Sequence, residues 1–269
     1  MKKLALWQID AFTDSVFGGN PAAVCPLDTW LPDEILQKIA MENNLSETAF
    51  FVPENQGFRL RWFTPLAEVD LCGHATLAAA FAIFELRGYT EDIILFETRS
   101  GPLTVTRGTH GLTMDFPQWT YENATEAETA KVEKIVGLKS LAVLKNSAVW
   151  TVVFNNIQTV KAFKPDIPAI KTLQNVIGLL ITAPGEKGTD FVSRFFAPQV
   201  GIDEDPVTGS THCLLAPYWS KILGKTEMSA KQVSPRGGNI QCKITDAGRV
   251  EISGNAALYM EGNIYVNAG

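Results

Sequence analysis

The sequence predicts an α+β protein of two similar halves, each a sheet or barrel wrapped around an apolar helix, and three observations carry that reading. Strand-like segments outnumber helical ones along the chain. Two helical stretches are apolar nearly all the way round, and in a soluble protein such helices must be enclosed. Short motifs also recur in one order at nearly one spacing, which marks a duplicated domain.

The strand candidates include "LALWQIDAF" (4–12), "TAFFV" (48–52), "FRLRWFT" (58–64) and "DIILFET" (92–98), with shorter ones continuing to Val266. "PDEILQKIAMENN" (32–44) predicts an amphipathic helix: Pro32 near the first turn, Asp33 and Glu34 at the positive end of its dipole, and an apolar face of Ile35, Leu36, Ile39 and Ala40. "EAETAKVEKIVG" (126–137) is a second surface helix, stopped by Gly137. The enclosed helices are "HATLAAAFAIFELRG" (74–88) and "STHCLLAPYWSKILG" (210–224), both ending in glycine. Pro217 lies inside the second and removes the bond to the Cys213 carbonyl, so a bend is expected there. Trp119 to Thr129, after "LTMDFP", reads as the link between halves, which gives domains 1–118 and 119–269.

The repeat is legible in three places. "RWFTP" (61–65) returns as "RFFAP" (194–198) at an offset of 133, "TAFF" (48–51) as "TAPG" (182–185) at 134, and "GHATLAAA" (73–80) as "GSTHCLLA" (209–216) at 136. The second copy therefore carries about three extra residues before its helix.

Composition narrows the function classes. The 269 residues are 46% hydrophobic and 19% charged, enough for a sizeable core. A net charge of −6 argues against nucleic acid or an acidic membrane face as partner. Gln8 and Asp10 interrupt any signal-peptide core after "MKKLALW", and no apolar run reaches a membrane span, so a cytoplasmic protein is expected. Cys25, Cys72, Cys213 and Cys242 show no metal-ligand spacing with the three histidines, so reduced thiols and no metal are expected.

The chemistry follows the repeat. In each copy a strand ends in a Pro-containing turn, and a glycine (Gly73 or Gly209) plus a small or polar residue opens the enclosed helix. Helix-start N–H groups and the dipole's positive end favour an anion, and glycine lets a ligand approach the backbone. Two such starts meeting across a pseudo-twofold axis would suit a small carboxylate. Either start alone is also an ordinary fold feature.

The copies differ in their acids. Glu47 stands at the mouth of the apolar run in "NNLSETAFF", where a helix-to-strand turn with a solvated acid is the plain structural alternative. Its counterpart position is Ile181. Before the second helix, "DEDPVTGS" (203–210) presents Asp205 held extended by Pro206. Glu47, His74, Asp205 and Ser210 are the residues of interest. Asn20 in "GGNPAAV" and Arg236 in "QVSPRGG" are weaker candidates, while His110 reads as a turn residue and His212 as a core histidine.

"DAFTDSVFGGNPAAV" (10–24), "NLSETAFFV" (44–52), "RWFTPLAEVDLCGHATLA" (61–78) and "DEDPVTGS" (203–210) together resemble the PhzF-like proteins, the family of the phenazine-biosynthesis isomerase. That family shares its fold with diaminopimelate epimerase and proline racemase. The resemblance extends to "VEISGNAALYMEG" (250–262), essentially the whole chain. It implies two similar domains, each a mixed, mostly antiparallel sheet around a central helix, with the site in the cleft between them. It implies no cofactor, no metal and a homodimer. By position, Glu47 would be the general acid/base, with His74 and Asp205 beside it; Ser210 would line the site, and Gly73 and Gly209 would supply backbone donors.

The epimerase relatives use two thiols. Cys72 occupies the place of the first, but Thr208 stands where the second would be. A single base on one face of a substrate moves a proton from one carbon to another, whereas inversion at one carbon needs two opposed bases. Glu47 alone thus points to a proton-shifting isomerase acting on a small carboxylic acid, with a pKa expected to be raised by burial. A two-base epimerase using Glu47 and Asp205 is the second enzyme reading, and a non-catalytic binding relative the third.

Overall fold

A computed structural model of the chain describes residues 1–267. The chain forms two compact units, the first containing Met1–Asp115 and the segment from Ile252 onward, the second Phe116–Glu251.

The first unit begins with β1 (Lys2–Ala11), β2 (Asn20–Pro26), α1 (Asp33–Asn43), β3 (Glu47–Glu54), β4 (Gly57–Phe63), β5 (Glu68–Val69) and α2 (Gly73–Phe81). It continues through β6 (Ile93–Thr98), β7 (Gly101–Gly108) and β8 (Gly111–Pro117). The second holds β9 (Glu122–Asn123), α3 (Glu126–Val136), β10 (Ala142–Lys145), β11 (Val149–Val153), α4 (Ile157–Ala162), α5 (Ile167–Lys171) and β12 (Gly178–Pro184). Then follow β13 (Phe191–Ala197), β14 (Ile202–Asp205), α6 (His212–Leu223), β15 (Glu227–Gln232), β16 (Gly238–Ile244) and β17 (Arg249–Gly254), within which the chain passes back to the first unit at Ile252. β18 (Ala256–Val266) returns to the first unit and pairs antiparallel with β1 along its length. The sequence places this strand in a C-terminal half running from 119 to 269. The ladder with β1 is a long-range pairing that local pattern does not reveal. Residues 119–129 are also more than a link, since Asn123 pairs with Leu144 and Thr125 caps α3 in a reciprocal capping box with Glu128.

The duplication extends to strand polarity. β2 runs antiparallel to β1, parallel to β3, and β3 antiparallel to β4. β10, β11, β12 and β13 repeat that order of polarities. A short strand then folds back on each (β5 on β4, β14 on β13), and β6 and β15 join the same strands in parallel. One ion pair is repeated with it: Arg61 forks onto both oxygens of Glu68 at 2.8 Å, and Arg194 onto Glu204 at 2.7 and 2.9 Å. Bidentate geometry ties the returning strand to its neighbour in both units. Arg194 also donates to the Val160 and Phe163 carbonyls, which anchors α4.

Each unit encloses its apolar helix. His74 through Ala80 of α2 are all buried, and the helix packs against β1, β2, β3 and β18. α6 packs against β15 and β16, burying His212 through Ala216 and Trp219. The expected helix 74–88 is α2 followed by a π-turn, Ala82–Leu86. α6 begins at His212 rather than Ser210, because Gly209–Thr211 form a tight entry turn with His212 and Cys213 donating back three residues. Pro217 leaves the Cys213 carbonyl without its helical donor, and the Trp119 amide fills that place at 2.9 Å.

Other helices follow their end signals. α1 starts after Pro32, carries Asp33 and Glu34 in its first turn, buries Leu36, Ile39 and Ala40, and stops at Asn44 in the left-handed region (φ 49°). Its buried face joins Leu6, Phe50 and Phe63 in the first unit's core, while Val132, Phe154, Leu179 and Phe196 centre a core of the second. Among the described residues no helix is long and apolar enough to cross a membrane.

Candidate active site

Strand alternation assembles the first cluster. Asn20 opens β2, and Ala22, two residues on and therefore on the same face, pairs with Glu47 at the start of β3. α2 packs on these strands and places His74, its second residue, beside them. The β1–β2 loop delivers Asn20 through a turn in which the Phe17 amide donates to Asp10 Oδ2 at 2.8 Å. Gly19 adopts φ 62°, and a Cβ there would lie 2.1 Å from the Ala11 carbonyl oxygen, so no other residue fits.

Glu47 and His74 are nearly enclosed, at 8% and 6% exposure. Glu47 Oε2 lies 3.1 Å from His74 Nε2. The two atoms lack hydrogen-bond alignment, and neither has another protein partner. The close approach is thus electrostatic, which leaves the Glu47 oxygen open to a proton brought by a ligand. On the other side of the ring, Asn20 Nδ2 lies 3.2 Å and Cys72 Sγ 3.5 Å from Nδ1. With Asn20 donating, the neutral ring keeps its proton on Nε2, facing Glu47. When the ring is protonated, Nδ1–H has the Cys72 sulfur as acceptor. The ring therefore has a partner at Nδ1 in either state.

Electrostatics favour the charged ring. Burial opposes an imidazolium, but the adjoining Cys72 and Glu47 outweigh it and raise the His74 pKa well above the usual value. Burial pushes the Cys72 thiol up to about 11.

Glu47, Cys72 and His74 are also the one trio of metal-ligating side chains gathered among the described residues, with donor atoms within 4.8 Å of one another. Glu47 approaches Nε2 and Cys72 approaches Nδ1.

The second unit carries the other predicted residues. Asp205 ends β14 and accepts a hydrogen bond from the Thr208 hydroxyl. Gly209 and half-buried Ser210 form the entry turn of α6. His212 donates from Nδ1 to the Thr208 carbonyl at 2.8 Å, as Thr76 Oγ1 does to the Cys72 carbonyl at 2.6 Å at the equivalent place in α2. Burial lowers the His212 pKa to about 4, consistent with the core histidine expected from its position. His110 lies exposed in the β7–β8 turn, and Arg236 is half-buried in the β15–β16 turn.

Three residues of this second cluster escape sequence reasoning. Thr208 reads only as the absent thiol, and Gln232 and Ser234 as neighbours of Arg236. Nothing in their spacing announces the hydrogen bonds that they make across the fold.

Comparison with known proteins agrees with this architecture. Residues 9–262 match the sequence pattern of the PhzC-PhzF family, phenazine biosynthesis-like proteins. An uncharacterized isomerase of Pseudomonas aeruginosa is 48% identical over 264 residues, covering 98% of this chain and all of that one. The crystal structure of a PhzF-family phenazine biosynthesis protein from Enterococcus faecalis superposes with a TM-score of 0.94 at 44% identity, over 98% of this chain and 100% of that chain. A hydroxyproline epimerase from Agrobacterium vitis shares the fold at a TM-score of 0.59 and 11% identity, over 97% of this chain and 92% of that one. With family pattern, near-full-length relatives and duplicated topology in agreement, this chain belongs to the PhzC-PhzF family of phenazine biosynthesis-like proteins.

Proposed function

We propose that the protein is an isomerase in which Glu47 moves a proton between two carbons of a small carboxylic acid. The observation that carries the reading is the nearly enclosed Glu47 carboxylate at 3.1 Å from the His74 ring, with Asn20 on the ring's far side. Family membership and relatives named as isomerases support the reaction class.

The ionised carboxylate takes a proton from a substrate carbon beside an unsaturated or acidifying group. The C–H electron pair enters the substrate's π system. The proton, now on Glu47, returns to a different carbon on the same face, and the double bond is relocated with no net gain or loss of atoms or electrons. Imidazolium His74 orients Glu47 and supplies a second proton near the developing charge. The N–H groups at the start of α2, whose N-cap Cys72 has no capping oxygen, suit the substrate carboxylate. On the family pattern Asp205, Gly209 and Ser210 would also meet substrate, and Asn20, wholly buried against His74, acts as its support.

The suprafacial reading gains support from what stands opposite Cys72 in the repeat. Thr208 holds that place, and its hydroxyl is bonded to Asp205. A pair of thiols at equivalent helix starts is thereby disfavoured.

The test is deuterium wash-in, followed by NMR in D2O, with a panel of amino, hydroxy and unsaturated carboxylic acids. Wild-type protein is expected to label one compound at two carbons, and Glu47→Gln to lose at least about 100-fold in rate. Label with Glu47→Gln at the wild-type rate would remove Glu47 from its role. Inversion at a single labelled carbon would favour the two-base reading instead.

A further inference from the structure

Gln232 ends β15 at 0% exposure, and its side-chain amide bonds to one stretch of chain. Its Oε1 accepts from the Thr208 amide at 2.9 Å, and its Nε2 donates to the Asp205 carbonyl at 2.7 Å and to Thr208 Oγ1 at 3.2 Å. Thr208 Oγ1 in turn donates to Asp205 Oδ2. The hydroxyl of Thr208 has one proton. Because Gln232 is a donor toward that oxygen, the proton is directed to the carboxylate rather than shared among rotamers. Two residues further on, Ser234 Oγ donates to the Pro206 carbonyl at 2.7 Å and accepts from the Gly237 amide at 3.1 Å.

We propose that Gln232 is a positioning residue which, through Thr208, fixes the Asp205 carboxylate and the entry turn of α6, with Ser234 securing Pro206 between them. The segment 206–211 lies outside any strand or helix, so no backbone ladder sets its shape. Side chains from the β15–β16 hairpin do so instead. Burying a primary amide is costly unless its donors and acceptor are matched, and here three bonds match it. Glu204 is held by Arg194, and His212 on α6 is neutral near pH 7 with Nδ1 on the Thr208 carbonyl. Asp203 on β14, Lys231 on β15 and Arg236 on the β15–β16 turn are the remaining charged residues of these elements nearest in sequence. The consequence for catalysis rests on the proposed isomerase reading, in which Asp205 faces substrate. The positioning of Asp205 does not rest on it.

The experiment uses the full chain with carboxyl-13C-labelled aspartate. The Asp205 resonance is compared in wild type, Gln232→Met, Thr208→Val and Thr208→Ser, with thermal midpoints alongside. Gln232→Met and Thr208→Val are expected to move or broaden that resonance, and Thr208→Ser, which keeps the hydroxyl, to restore it. A purely structural strap would lower the midpoint and leave the signal in place. Should Gln232→Met not fold, the Thr208 pair decides alone. An Asp205 resonance unchanged in the folded variants overturns the proposal. With a wash-in substrate in hand, Gln232→Met is further expected to lose roughly 100-fold in kcat with KM little changed. A displaced resonance with undiminished turnover overturns the catalytic consequence. If no compound takes up label, the isomerase reading fails, while the 13C result still decides whether Gln232 positions Asp205.

Discussion

Glu47 is the residue on which the functional reading turns, and its surroundings explain why an acid stands at the head of an apolar strand. It is the first residue of β3, on the sheet face that α2 covers, so its carboxylate meets His74 rather than solvent. The solvated-turn alternative is therefore set aside by burial. The nearby Cys72 gains a role that spacing alone does not show: its sulfur is the acceptor open to Nδ1–H when His74 is charged. Removing either neighbour should lower the His74 pKa. In an NMR titration of the ring, Cys72→Ala and Glu47→Gln are each expected to shift the pKa downward. A ring that titrates unchanged in both variants would contradict the assignment. The sign for stability follows from the raised pKa. The His74 contribution is fully present below the unfolded value of roughly 6.5 and disappears as pH rises through the higher folded value.

Helix α6 shows how an element can be foreseen while its ends are not. Its apolar surround and its stop at Gly224 (φ 66°) are both visible in the sequence. Its entry is not, since the tight turn over Gly209–Thr211 depends on bonds to Thr208 and Gln232 that arrive from elsewhere. Pro217 is legible as a lost bond, but the amide that replaces it, from Trp119, is not. His212 makes a measurable prediction at this scale. Its folded pKa of about 4 lies below the unfolded value, so stability is retained above about 6.5 and declines as pH falls toward 4. The loss across that window is on the order of 3 kcal/mol. Chemical denaturation at pH 7 and pH 5 should show the decline in wild type and a much weaker one in His212→Gln. Equal pH dependence in both proteins would assign the effect to other groups.

At the level of the molecule the duplication is the governing fact, and β18 is where the two copies cease to be simple neighbours in sequence. It belongs to the first unit because its backbone completes the β1 ladder from Lys2–Val266 to Ala11–Ala256. A chain ending at Gly254 should therefore raise amide hydrogen exchange along β1 and leave β12 and β13 at wild-type protection. Equal loss in both units would argue against this division. The sequence by itself determined the α+β class, the two enclosed helices, the repeat and the family, because these rest on local periodicity and on motifs that recur at one offset. The tertiary structure alone decided that Asn20, Glu47 and Cys72 surround the His74 imidazole, that Gln232 bonds to Thr208 and Thr208 to Asp205, and that the last strand returns to the first. Each of these joins residues whose proximity is set by strand pairing and helix packing over long stretches of chain, and hydrogen bonds of that kind leave no periodic trace in the sequence.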